Sequence, residues 1–138
     1  MNIEALALAG AHRIHVQRLS DDRGHFARLW CRGSLAAAGL SLEVVQTSAS
    51  VNPRAGTLRG LHFAWPPSGE IKVVRCARGR LHDVLLDLRP HSATFGRSVT
   101  VVLDATLHDT LLVPPGVAHG FQTLVDDTEV HYMMTEAY

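Results

Sequence analysis

Lys72 is the only lysine in this 138-residue chain, which otherwise takes its cations from twelve arginines. A chain that uses arginine everywhere else keeps here a compact ammonium with a tunable pKa. It sits between Ile71 and Val73, in an apolar run where a charge is costly unless it faces a polar cavity. Upstream lies Leu58-Arg59-Gly60-Leu61-His62-Phe63, and downstream Asp83 and Asp87 interrupt the apolar run 81–88 with the same parity. Arg59 and His62 differ by three and so project to opposite faces of a regular strand, unless Gly60 permits a bulge or a close ligand approach. Each of these residues alone reads as an ordinary core or surface group. Together, imidazole, ammonium and carboxylates on inward positions describe a polar pocket rather than a dry core, with titratable groups of the kind that move protons.

A second histidine arrives on a turn. Pro114-Pro115-Gly116-Val117-Ala118-His119 has the Pro-x-Gly-x-x-His form of the second cupin motif, in which a tight turn delivers a histidine onto an inward-facing strand. The first cupin motif would supply a His-x-His pair and a glutamate for a metal. Here His62 is followed by Phe63 and Ala64. Two histidines, His62 and His119, fall short of the three protein ligands that zinc or iron usually takes. Neither a metal nor another cofactor is expected.

The elements that must carry these residues read as short strands. Candidates are Arg13–Arg18, Phe26–Cys31, Leu42–Ser48, Leu58–Phe63, Ile71–Ala77, Leu81–Leu88, Arg97–Leu103, Thr110–Val113, Gly120–Leu124 and Glu129–Thr135. Breaks fall at Asp21–Gly24, Asn52-Pro53, Pro66–Gly69, Arg78–Arg80 and Pro114–Gly116. Gly33–Gly39, with three alanines, is the one helix-like stretch. Many short strands at this spacing predict an all-β antiparallel sandwich or jelly roll of the cupin type, in a single domain over residues 1–138.

Composition narrows the partners. Thirteen basic residues balance thirteen acidic ones, so no broad field exists for nucleic acid or an anionic membrane. The run Ala5-Leu6-Ala7-Leu8-Ala9 lacks a basic flank, carries Glu4 beside it and is too short to span a bilayer. Two cysteines, Cys31 and Cys76, read as reduced thiols, and the chain reads as cytoplasmic.

Taken in order, the motifs resemble the dTDP-4-dehydrorhamnose 3,5-epimerase family of cupin sugar-nucleotide enzymes. The matching stretches are Asp22-Arg23-Gly24-His25-Phe26, Val45-Gln46, Leu58–Phe63, Lys72–Cys76, Asp83-Val84, Asp87-Leu88-Arg89, Ser92–Gly96, Ala118–Phe121 and Val130-His131-Tyr132. The resemblance implies abstraction and return of protons at C3, C5 or both of a nucleotide-linked 4-keto-6-deoxy sugar, through an enolate. It implies His62 as the base, Lys72 as the cation at the enolate oxygen and Tyr132 as the acid on the opposite face. It further implies that Arg23 and Arg59 grip the diphosphate, that Gln46 contacts substrate, that Phe26 and Tyr138 lie near base and nucleotide, and that Asp83 and His119 orient the interior. A homodimer with Arg23 at or near the subunit boundary is implied as well.

The chain departs from that family in three places. Family chains continue past this C-terminus, with an aspartate there that pairs with the base histidine, so weakened proton transfer is the expectation, with Asp83 as a possible substitute. Arg28 stands where the family has a glutamate that helps recognise the nucleoside, and Ser48 where it often has asparagine. Two alternatives follow: a catalytically weak or silent sugar-nucleotide binding protein, and a 3,4-ketoisomerase using the same enolisation.

Overall fold

Strict alternation sets the architecture. In β8 (Arg80–Asp87) Leu81, Asp83, Leu85 and Asp87 are buried while their neighbours are half-buried or exposed, the period of a strand with one face on a core. The computed structural model describes residues 1–137 and contains twelve strands in antiparallel pairing. They are β1 (Asn2–Ala5), β2 (His12–His15), β3 (Arg18–Asp21), β4 (Gly24–Ala27), β5 (Gln46–Asn52), β6 (Leu58–His62), β7 (Lys72–Arg78), β8, β9 (Ser98–Asp104), β10 (Thr110–Val113), β11 (Val117–Thr123) and β12 (Thr128–Met134). One short helix, α1 (Arg32–Ala37), follows β4. Among the described residues no helix is long and apolar enough to cross a membrane.

A six-stranded sheet in the order β1-β2-β10-β7-β12-β5 faces a four-stranded sheet in the order β6-β11-β8-β9, and β3-β4 form a separate hairpin. Val74, Cys76, Leu111, Val113 and Val130 of the first sheet pack against Leu81, Leu85, Leu103, Val117 and Phe121 of the second. Each such side chain removed from water contributes about 1.5–3 kcal/mol, so this two-layer core is the main stabilising term. The other face of the six-stranded sheet carries a smaller cluster, Ile14, Val73 and Leu112, closed by Leu35 of α1 and by Leu42. The result is the expected antiparallel jelly roll.

Several expectations shift. The stretch Arg13–Arg18 divides into the end of β2 and the start of β3, and β1 was not foreseen at all. The predicted strand Phe26–Cys31 moves forward to Gly24–Ala27. The strand expected over Leu42–Ser48 runs instead over Gln46–Asn52, because Leu42 is drawn under α1 into the outer cluster. Asp87 corrects the reading that both aspartates of β8 serve a polar pocket. Its buried carboxylate accepts from Arg89 Nε and Nη2 at 2.9 and 2.8 Å and from the Ser92 and Thr94 hydroxyls at 2.6 Å each. These donors hold its pKa well below the usual carboxylate range, and the same Arg89 reaches the Ala9 carbonyl at 2.7 Å. Asp87 therefore ties the turn after β8 to the N-terminal segment.

Candidate active site

The register of β6 against β11 decides which way the catalytic candidates point. His62 lies opposite His119, and Arg59 opposite Phe121, so three steps on β6 match two on β11. That bulge absorbs the odd spacing and brings Arg59 and His62 to the same face, the one that His119 and Phe121 present to the interior. Gly60 makes it possible. Its φ is +100°, and a Cβ there would come within 2.7 Å of the Gly120 Cα and the His119 carbonyl oxygen. Gly120 is equally constrained, since its own Cβ would meet the Arg59 carbonyl at 2.6 Å.

Behind His62 stands a buried pair. His119 Nε2 lies 3.0 Å from Asp83 Oδ2, with the two side chains 3% and 0% exposed. Burial pushes the Asp83 carboxyl up, while the neighbouring imidazole opposes that shift. Its Oδ1 is buried without a hydrogen-bond partner. Asp83 is thus engaged by His119, and the suggestion that it substitutes as the partner of His62 has no support in this hydrogen-bonding.

The facing sheet supplies Tyr132 and Lys72. Tyr132 packs edge-on to His119 with ring centroids 6.2 Å apart, and abuts the central core. Its phenol is pushed well above the ordinary value, first by burial and then by the charge of Asp83, with Arg59 acting the other way. It therefore holds its proton through the neutral range. Strand alternation puts Lys72 on the same face of β7 as the core residues Val74 and Cys76, at the strand's start. Its side chain is 18% exposed and meets the carboxylate of Glu70, itself 8% exposed. Burial lowers the ammonium's pKa from its ordinary value.

Edge strand β5 closes this side. Gln46 Nε2 donates to Ser48 Oγ at 3.2 Å, and Ser48 is the register partner of Tyr132. Arg59 Nε donates to Asn52 Oδ1 at 2.7 Å, while the Asn52 amide donates to the Thr128 carbonyl. Asn52 is fully buried and anchors the arginine. Sequence reasoning passed over it, since Asn before Pro reads as a turn; Glu70 carried no signal either.

Other expected residues lie apart. Arg23 is paired with Asp21 at the tip of the β3-β4 hairpin and is 85% exposed, and Phe26 is 64% exposed. Among the described residues no hydrogen bond, ion pair or ring contact joins them to His62, Lys72, His119 or Tyr132. Phe26 and Arg28 share a small cleft of about 180 Å³. Tyr138 lies outside the described residues. A larger cleft of about 500 Å³ lies along β5, β7 and β12 of the six-stranded sheet, lined by Leu29 and Trp30 with Ser48, Val73, Arg75, His131, Tyr132 and Met133 among others. His62 does not line this cleft and is an exposed residue of β6, beside His119 in the four-stranded sheet. Among the described residues no three metal-ligating side chains converge.

The family model for dTDP-4-dehydrorhamnose 3,5-epimerase matches residues 5–138. A dTDP-4-dehydrorhamnose 3,5-epimerase of Mycobacterium tuberculosis (strain CDC 1551 / Oshkosh) is 42% identical over all of this chain and 68% of its own length. The crystal structure of the Bacillus anthracis str. Ames enzyme of that name, with TDP and PPi bound, superposes with a TM-score of 0.96 at 36% identity, over 99% of this chain and 78% of that one. A Legionella pneumophila Philadelphia 1 dTDP-6-deoxy-D-glucose-3,5-epimerase in complex with dTDP-4-keto-L-rhamnose aligns with a TM-score of 0.91 at 30% identity, over 99% and 72%.

Proposed function

The chain belongs to the dTDP-4-dehydrorhamnose 3,5-epimerase family, and on that premise we propose that it epimerises C3, C5 or both of a dTDP-linked 4-keto-6-deoxy sugar. His62 takes the proton from carbon beside the ketone, and the electron pair of the broken C–H bond moves onto the ketone oxygen as an enolate. A proton on such a carbon leaves only when that charge is stabilised, which the Lys72 ammonium does. Tyr132, kept protonated by burial, returns a proton to the opposite face of the carbon, and the configuration inverts. Arg59 holds the diphosphate with its outer guanidinium nitrogens while Asn52 fixes Nε, a geometry suited to the planar fork. Gln46 contacts the sugar, and Asp83 acts through His119 to orient the interior. The observation that carries this reading is the bulge at Gly60, which supports His62 facing His119 across from Tyr132.

The test is proton NMR of the purified protein with dTDP-4-keto-6-deoxyglucose in deuterated water. Loss of the C3 or C5 proton signal, with epimer formation, is the expected result. Ketone migration to C3 would instead identify a 3,4-ketoisomerase, and binding without any exchange a silent binding protein.

The active assembly in this reading is a homodimer. Support comes from the outer cleft with Trp30, the position of β5 at the edge of its sheet and the hairpin bearing Arg23 and Phe26, which among the described residues make no hydrogen bond, ion pair or ring contact with His62, Lys72, His119 or Tyr132. A second copy seated on that face would bring Arg23 and Phe26 to the nucleotide. Light scattering should give twice the 15.0 kDa chain mass, and Trp30→Asp should shift it to monomer. A mass of one chain at every concentration would sink the dimer. The free thiols Cys31 and Cys76 fit a reducing, cytoplasmic setting.

A further inference from the structure

Glu70 belongs to no strand and no motif, yet its carboxylate meets the ammonium of the chain's only lysine. The loop that delivers it is fastened on both sides. The Glu70 amide donates to Ser68 Oγ at 3.2 Å, and that hydroxyl donates to Glu136 Oε2 at 2.6 Å. Gly69 N donates to Glu136 Oε1 at 2.7 Å, and Ile71 N to Thr135 Oγ1 at 2.9 Å. A carboxylate on a loop so held, with its side chain 8% exposed, is a fixed charge rather than a wandering surface group.

We propose that Glu70 is a positioning residue for the epimerisation, holding the Lys72 ammonium charged and aimed into the space between the sheets. The inference rests on the role of Lys72 given above. An ammonium has three N–H donors, so one can serve Glu70 while the others remain for the developing enolate oxygen. Among the described residues nothing else near Lys72 takes this part. Its cross-strand neighbours, Val113 and Met134, are apolar. Glu136 is spent on Ser68 and Gly69, and Asp83 on His119. Tyr132 keeps its proton and is uncharged, and Arg59, a cation anchored on Asn52, cannot offset the desolvation of the ammonium. Burial lowers the pKa of Lys72, and the nearby carboxylate works against that loss.

Lys72 acts as the ammonium, so exchange persists below its pKa and is lost as pH rises through it. Tyr132 is raised above its ordinary value whereas Lys72 is lowered, so the alkaline limb belongs to Lys72. Glu70→Gln removes the charge and keeps the shape, and an opposite charge at this range is worth about one to three pH units. Because the chain has one lysine, selective labelling with ¹³Cε lysine gives a single resonance that reports Lys72 alone. In Glu70→Gln its titration midpoint should fall by about one to three pH units, and the alkaline limb of kcat for C3 or C5 exchange should fall with it. KM for the nucleotide sugar should change little, and Glu70→Asp should restore most of the midpoint. The aspartate variant also serves if the glutamine variant does not fold. An unchanged midpoint in Glu70→Gln overturns the proposal while leaving the epimerase reading intact. A midpoint that moves while the kcat limb stays put removes Lys72 from the chemistry, and both readings of it fall.

Discussion

His62→Asn is expected to reduce hydrogen exchange at C3 and C5 by about 10²–10⁴-fold, the range a positioned base contributes. Asparagine approximates the imidazole in size and still hydrogen-bonds, but its amide cannot accept a proton to the same end. The backbone around it should not change. The bulge that aims residue 62 is imposed by Gly60 and Gly120, whose missing Cβ atoms let β6 and β11 approach, and neither is touched. Substrate binding should therefore survive, since Arg59 keeps its anchor on Asn52. Among the described residues no other group nearby is a ready base. The Tyr132 phenol is driven further from ionisation by burial, and His119 is committed to Asp83. Proton NMR in deuterated water on the variant, with dTDP titrated in parallel, separates the cases. Exchange at the unmodified rate with binding intact means that His62 is not the base. Exchange lost together with binding and with the thermal transition would mean that the substitution broke the fold instead.

What the residues announced and what they concealed divides on physical lines. β8 was legible because Leu81 and Leu85 alternate cleanly with less buried neighbours, and β10 because Leu111, Leu112 and Val113 form a short apolar run. Lys72 was legible because a charge in an apolar run needs a reason. The strand β5 was misplaced by four residues, since Gln46, Ser48, Ser50 and Asn52 alternate with little hydrophobic signal. A strand that lines a polar site at a sheet edge reads as loop. Its apolar predecessor Leu42 looked like strand and instead packs under α1. The shared face of Arg59 and His62 was also hidden, because regular alternation puts residues three apart on opposite sides and only the register with β11 reveals the bulge. Asp83 and Asp87 have one parity and two fates. Asp83 meets a histidine from the adjacent strand β11, while Asp87 meets the arginine two residues on, within its own turn. Sequence parity gives the face of a side chain, and only the neighbours decide whether that face is site or scaffold.

Lys72→Ala is expected to reduce exchange by about 10²–10³-fold, the cost of removing one donor to a developing oxyanion. That variant alone is ambiguous, because it leaves Glu70 buried with no counter-charge, and an uncompensated carboxylate of that kind destabilises the fold. Lys72→Arg removes the ambiguity. The guanidinium keeps a positive charge beside Glu70, and its fork pairs readily with a carboxylate, so the melting temperature should stay near that of the unmodified protein. The catalytic geometry does not survive the change. A guanidinium spreads its charge over a plane, is bulkier than an ammonium, and when turned to Glu70 cannot also centre a donor on the enolate oxygen. Exchange in Lys72→Arg should thus fall nearly as far as in Lys72→Ala, with stability preserved in the first and lowered in the second. Single-turnover exchange measured beside thermal unfolding resolves the pair. If Lys72→Arg exchanges at the unmodified rate, positive charge alone suffices, and the compact ammonium this chain keeps at one position has another purpose.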